Sequence, residues 1–453
     1  MGLNNKSFLS IFNFTLFVFT VLLISVFLVI SCKQPTEPKN ELKAELKLIL
    51  EDVSCTEAWM KLTTTNLQRP TSITLKQNDI TRATINLTTT DTLIYIDSLL
   101  PNRSYRFKAV ATPISYPQSP ISNELSLMTM DTTSHNFSWQ SWEFGDDYCG
   151  SSSLYDVAII DENNIWAVGE IYIRDSLGRC DPKAYNAVHW NGIKWELKRI
   201  YHYSSCNPVD YPPFKSIVAF SDTEIVLTSG GSIGWFNGKM NRTDCGIRPL
   251  LTGAINKLWG SSSSDLYAVG NNGNIAHWDG VKWRKIESGT RNHISNIYGV
   301  RVKNSDTYEV LCTTNNIDVP GGVNAQVIKI VNNKTEILNT PEITTCCLKD
   351  IWFKPGKKYI VVGAGMWESN HLTKGWKDIT LYPPTVKTSI AGNDYNDVIV
   401  VGSFETVAHW NGYSWRNYFP MISSVLSAVE MKSNLVVIVG FKNDRGYILM
   451  GKR

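Results

Sequence analysis

Neither sign of charge predominates in this sequence. Against 44 lysines and arginines stand 41 aspartates and glutamates, a formal charge of +3. That is far from the basic field with which proteins hold a phosphate backbone. Charged residues are only 19% of the 453, leaving neither an acidic tail nor a basic arm, so no nucleic-acid partner is expected. Histidine is scarce at 7, no C-x2-C pair occurs, and Cys346 and Cys347 are adjacent. A cysteine–histidine metal site is therefore not expected, nor is a cofactor. A phosphate-cradling loop ending in G-K-S/T and an H-E-x-x-H pair are absent, and no strand-to-helix nucleophile elbow is expected. Helical periodicity is missing as well. Catalytic residues are not assigned.

What is present begins with a long apolar run. Residues 8–30, FLSIFNFTLFVFTVLLISVFLVI, are 23 in number, enough for a helix to cross a bilayer. A plain inner-membrane anchor is one reading. The run ends in Val29-Ile30-Ser31-Cys32, which resembles the lipobox of bacterial lipoproteins. The resemblance implies a signal peptide over 1–31, removed before Cys32, whose thiol and new amino group then carry acyl chains, palmitate among them, that hold the protein to the membrane. Polar, proline-containing residues 32–40 read as a tether. Lys33, rather than aspartate, follows the cysteine, which by the same resemblance favours the outer membrane, facing the periplasm or the cell surface. Without Cys32, eight of the 9 cysteines remain, an even number suited to disulfides in an exported chain. Cys149, Cys180, Cys206 and Cys245 are expected to pair among themselves.

From 41 to 130 short runs such as LKLILEDV, SITLKQN and SYRFKAVATP are rich in β-branched and aromatic residues and separated by Asn, Asp, Ser and Pro. Seven such strands suit a β-sandwich. Leu99-Leu100-Pro101-Asn102-Arg103-Ser104-Tyr105 resembles the turn and strand of fibronectin type III domains, an immunoglobulin-like fold. That resemblance makes Tyr105 a tyrosine-corner residue and Trp59 the core tryptophan.

The stretch 134–453 repeats. AVHWNGIKW, IAHWDGVKW and VAHWNGYSW place Trp190, Trp278 and Trp410 at separations of 88 and 132, two and three times 44. Each copy opens with apolar, polar, polar, apolar residues, as in Leu154–Val157 or Leu348–Ile351, and seven such openings occur. An all-β repeat of this length predicts a β-propeller, with seven blades and six or eight as the neighbouring counts. The last copy has only three strands, and Asn136–Phe144 is a strand without a blade; it is expected to close the ring. His189, His277 and His409 recur at one blade position and are read as structural. Gly169, Gly270, Gly363, Gly402 and Gly440 end each second strand, where a Cβ is expected to obstruct the turn.

A propeller's function rests on what does not repeat. Asp156, Lys215, Lys257, Lys349 and Asp350 are placed at the channel, with Lys387 beside them. Tyr201, Tyr203 and Tyr211 stand in a long loop. Together they form the candidate surface for a protein or glycan ligand. The reading is a non-catalytic cell-envelope lipoprotein. Two alternatives stay open: a propeller-type glycoside hydrolase or lyase, and an envelope assembly or structural factor.

Overall fold

The computed structural model describes residues 43–112, 119–207, 210–316, 324–419 and 424–453. The expected signal 1–31, Cys32 and the tether 32–40 lie outside them. No helix among the described residues is long and apolar enough to cross a membrane. Apart from three short 3₁₀ turns, the regular structure is entirely strand.

The first seven strands are β1 (Glu45–Val53), β2 (Ala58–Thr65), β3 (Thr71–Gln77), β4 (Ile80–Leu87), β5 (Asp91–Ile96), β6 (Ser104–Thr112) and β7 (Leu125–Met128). They form two sheets, in the orders β1-β2-β5 and β4-β3-β6-β7. Alternation along β3, where Ile73 and Leu75 are fully buried between half-exposed neighbours, is the signature of a sheet with one covered face. The Tyr105 hydroxyl accepts the Leu100 N–H at 2.9 Å. By density of packing the described residues divide into two units, one holding those of 43–49, 61–92 and 106–125 and the other those of 50–60, 93–105 and 126–453. Within the second unit Trp59 is buried and stacks on Tyr395, with ring centroids 5.3 Å apart.

The rest is a β-propeller of seven four-stranded sheets. Blades 1 to 7 begin with the inner strands Ser153–Asp161, Ser216–Ser221, Ile255–Ser262, His293–Arg301, Leu348–Lys354, Lys387–Asp394 and Ser424–Lys432. Each inner strand packs on the next, and the seventh on the first. The seventh blade takes its outer strand from β8 (Ser138–Phe144), which pairs antiparallel with Arg445–Lys452 from Phe144↔Gly446 to Ser138↔Lys452. Alternation along β8 sends Phe137 and Trp139 toward the core shared with blade 6, and Trp142 and Phe144 toward that shared with blade 1.

The recurring residues have local duties. His189, His277 and His409 bond through Nε2 to Asn164, Asp265 and Asp397 at 2.9, 2.7 and 3.0 Å. In each case the partner is the first residue of the same blade's second strand. The tryptophans on either side of each Asn-Gly or Asp-Gly turn pack together, Trp190 on Trp195, Trp278 on Trp283 and Trp410 on Trp415. The glycines serve a purpose other than the expected one. A Cβ on Gly169, Gly270, Gly363, Gly402 or Gly440 would lie 2.0 to 2.2 Å from a backbone carbonyl oxygen within one residue of the start of the adjoining inner strand. What excludes it is the close approach of that strand, not the turn.

Candidate ligand site in the propeller channel

That approach has a cause. Near the start of six inner strands the register with the second strand slips by one residue, at Tyr155, Asn256, Ser295, Lys349, Thr388 and Ser427. Lys215 is the equivalent in blade 2: its N–H bonds to the Thr228 carbonyl at 2.8 Å while Ser216 already faces Thr228. A β-bulge leaves one residue unpaired and re-aims its side chain. Seven bulges at one height therefore put seven side chains in a ring. All seven line one cavity of about 430 Å³ at the channel mouth.

The next residue of each inner strand makes a second layer, whose polar groups are spent on holding blades together. Asp156 Oδ2 accepts the Ser216 hydroxyl at 2.7 Å and the Ile217 N–H at 3.0 Å, and Ser216 Oγ accepts the Leu258 N–H at 3.1 Å. Three blades are thus joined through one carboxylate and one hydroxyl. Blades 5, 6 and 7 repeat the device: Asp350 Oδ2 accepts from Ser389 at 2.7 Å and Ile390 N–H at 3.0 Å, and Ser389 Oγ accepts from Val429 at 3.3 Å. Glu430 Oε2 accepts the Ile159 N–H at 2.7 Å, tying blade 7 to blade 1.

The two devices differ in charge. Lys257 Nζ sits 2.7 and 2.9 Å from the Asp156 oxygens. Burial opposes its charge, but Asp156, together with Asp350 and Glu430, more than offsets that and keeps Lys257 protonated beyond its ordinary range. Asp350 has no such partner, and burial pushes it up to about 6 despite the bonds from Ile390 and Ser389. Burial likewise pushes Glu430 up to about 7, against the pull of the Ile159 N–H. Asp350, Glu430, Tyr298 and Trp259 line a cavity of about 380 Å³ toward the opposite end. The channel is therefore polarised, with two lysines among the bulge side chains at the mouth, and Asp350 in the stitching layer and Glu430 beyond it lining the other end.

A carboxylate whose folded pKa is raised destabilises the fold as it ionises. Between the unfolded value near 4.5 and about 7 for Glu430, the folded state holds the extra proton, so stability falls as pH rises through that window. Glu430→Gln keeps an acceptor for Ile159 and removes the charge. It should leave stability unchanged at pH 4 and raise it by about 3 kcal/mol at pH 8, as read from urea unfolding at a series of pH values.

Of the residues expected at the channel, Asp156, Lys215, Lys257, Lys349 and Asp350 all reach it, Asp156 and Asp350 as buried structural acceptors. Lys387 does not line it. In blade 6 this lysine takes the place that Leu154, Leu348 and Leu426 hold in theirs; it is fully buried, and its Nζ donates to the Thr385 carbonyl at 2.7 Å.

Strand connectivity puts the bulge mouth, the connections between second and third strands and the connections between blades at one end of the ring. The 171–186 and 201–213 segments are therefore on this face, and so are the disulfides Cys149–Cys180, Cys206–Cys245 and Cys346–Cys347. Cys55 and Cys312 are buried thiols. Tyr201 and Tyr203 are 45% and 39% exposed and meet edge to face at 5.3 Å, with Tyr211 6.2 Å from Tyr201. Lys183 pairs with Asp210 at 2.7 Å, which braces the two segments against one another, and Arg199 just before the second one pairs with Asp181 in the first.

One juxtaposition was not anticipated from sequence. Gly230-Gly231-Ser232-Ile233-Gly234 has the Gly-x-Ser-x-Gly spacing, and Ser232 Oγ lies 2.9 Å from His202 Nε2. Both residues are fully buried, burial pushes His202 down to about 4, and Ser232 Oγ is also within bonding distance of the Tyr203 and Ser229 carbonyls, at 2.8 and 3.0 Å. The pair fastens the 201–213 loop and has no access to a substrate.

No family model matches the sequence, and no curated protein does. Among solved structures, that of YCF48 bound to D1 peptide is similar over 71% of this chain and 99% of its own, with 14% identity and a TM-score of 0.51. YCF48 from Cyanidioschyzon merolae covers 69% of this chain and 98% of its own at 14% identity and a TM-score of 0.46. BamB from Moraxella catarrhalis covers 66% and 83% at 12% identity and a TM-score of 0.35. At such identity the first of these likenesses is one of fold, and the fold is the β-propeller.

Proposed function

We propose that the chain is a non-catalytic binding protein of the bacterial cell envelope, held to the outer membrane by lipid on Cys32. It takes a protein or glycan ligand on the propeller face that carries the bulge ring. The observation that carries this reading is the gathering of non-repeating features on that face: the open ring of bulge side chains, exposed Tyr201 and Tyr203, and loops pinned by disulfides. Long loops that must hold their shape gain most from such crosslinks. Asp156 and Asp350 spend their oxygens on stitching blades, which supports binding over hydrolysis. The peptide named with YCF48 is in keeping with a protein ligand. We take residues 41–130 as a fibronectin type III-like domain, a reading supported by the two sheet orders and the Tyr105–Leu100 bond.

An array of glycans and peptides probed with the full-length chain tests the binding role. Ligands retained by the wild type should be lost when Tyr201 and Tyr203 are both changed to alanine. They should be kept by Tyr413→Ala, an exposed residue in an Asn-Gly turn at the other end of a blade. Equal loss in both variants, or turnover of an arrayed glycan, overturns the reading. The anchor is tested separately. Cys32→Ser should yield a chain that keeps residues 1–31 and carries no acyl groups, whereas the wild type should begin at an acylated Cys32, as intact-mass measurement will show.

A further inference from the structure

We infer that the channel mouth between Lys215 and Lys349 binds an oxyanion, a carboxylate or phosphate group carried on a small polar solute. The inference rests on the reading of this face as a ligand surface and names the chemistry it takes. Of the seven bulge side chains, two are lysines and none is acidic. Among the described residues Lys349 makes no ion pair and no hydrogen bond, and burial alone acts on it. The Lys215 ammonium lies 3.3 Å from the centre of the Tyr155 ring. The carboxylate that influences it, Glu170, is already taken by the hydroxyls of Tyr155 and Tyr172.

Two ammoniums, neither in a direct ion pair among the described residues, concentrate positive potential in a concave site where a solute would enter. Burial makes both lysines hold their protons less firmly than in water, a cost that an incoming anion would relieve. The layer beneath explains why the anion would stop there. In that layer the Asp156–Lys257 pair is internally neutralised, while Asp350 at the same level and Glu430 beyond it line the far cavity. An anion is drawn to the mouth and repelled from the rest, which makes a site and not a pore. A volume of about 430 Å³ accepts a solute of monosaccharide size.

The test is calorimetric titration of the full-length protein in detergent micelles with sodium phosphate, with sodium glucuronate and with glucose, at low ionic strength. At least one anion should bind saturably and glucose should not. Lys215→Gln and Lys349→Gln should each weaken anion binding about tenfold or more, and Lys349→Arg should keep most of it. The ligand-free melting temperature of the glutamine variants should be unchanged or higher, because each loses an unpaired charge, so weaker binding would not be read as misfolding. Binding of phosphate alone assigns a phosphate ester, and of glucuronate alone a carboxylate. No saturable anion binding by the folded protein, or anion binding that both glutamine variants retain, overturns the inference. Binding of glucose that Asn256→Ala weakens and the lysine variants do not would overturn it too, while leaving the face a ligand surface.

Discussion

Removal of residues 137–144 should abolish the single cooperative unfolding transition of the propeller. The deletion takes away β8, and with it the whole antiparallel ladder to Arg445–Lys452. Phe137 and Trp139 leave the core between blades 6 and 7, and Trp142 and Phe144 leave that between blades 7 and 1. At roughly 2 kcal/mol for each aromatic brought out of contact, the loss is on the order of 8 kcal/mol, comparable with the whole stability of a typical domain. Thermal unfolding followed by circular dichroism would show the transition broadened and lowered by well over 10 °C. Trp139→Ala and Trp142→Ala, made singly, should lower it by smaller and similar amounts, because each guards one of the two flanking cores. A deletion variant that unfolds at the wild-type temperature would mean that the ring closes without β8.

Asp156→Ala should be the most damaging single substitution in the channel. It strips the Ser216 hydroxyl and the Ile217 N–H of their acceptor and leaves the Lys257 ammonium without a counter-charge. Breaking such a pair from one side costs about 3–5 kcal/mol, because the remaining charge stays buried. The same argument predicts rescue. Asp156→Ala combined with Lys257→Met should recover a large part of the loss, since the stranded charge goes with it. Urea unfolding of the two single variants and the double gives the coupling directly. Additive effects would show that the Asp156–Lys257 attraction contributes nothing. Asp350→Ala, in the corresponding place but without a lysine, should cost less at pH 8, because its own charge is what the site tolerates poorly.

These residues also show how far the sequence could be read. The ring, its seven blades and the strand that closes it were legible because tryptophans and glycines recur at fixed offsets, and an incomplete last copy matched an unclaimed strand. The layering of the channel was not read, although its signal was present. Strands alternate, so two polar residues between two apolar ones cannot both face the same way without a bulge. Tyr155-Asp156, Lys215-Ser216, Asn256-Lys257 and Lys349-Asp350 carry that mark, and Thr388-Ser389 has the same place behind Lys387. The first of each pair belongs to the mouth and the second to the stitching. Read as one undivided set, Lys349 and Asp350 looked like mixed charge in a single place, whereas they occupy different levels. Lys387 misled for a related reason: it fills an apolar position, and nothing in its identity says that backbone carbonyls will receive its ammonium. Partners of that kind are fixed only by the folded chain.

The closing strand also dictates when the propeller can be finished. β8 leaves the ribosome before any blade exists, yet its partner strand lies about 300 residues downstream. Joining segments so far apart in an otherwise unstructured chain would cost about 5 kcal/mol of loop entropy. Blades stacked in sequence shorten that gap, because each one brings the growing end further round the axis. Until Arg445–Lys452 is made, the edges of β8 are unpaired and its three aromatics, with Phe137 just before them, are uncovered, a template for pairing with other chains. A chain arrested late in synthesis would thus be its most aggregation-prone form, and six finished blades would not protect it.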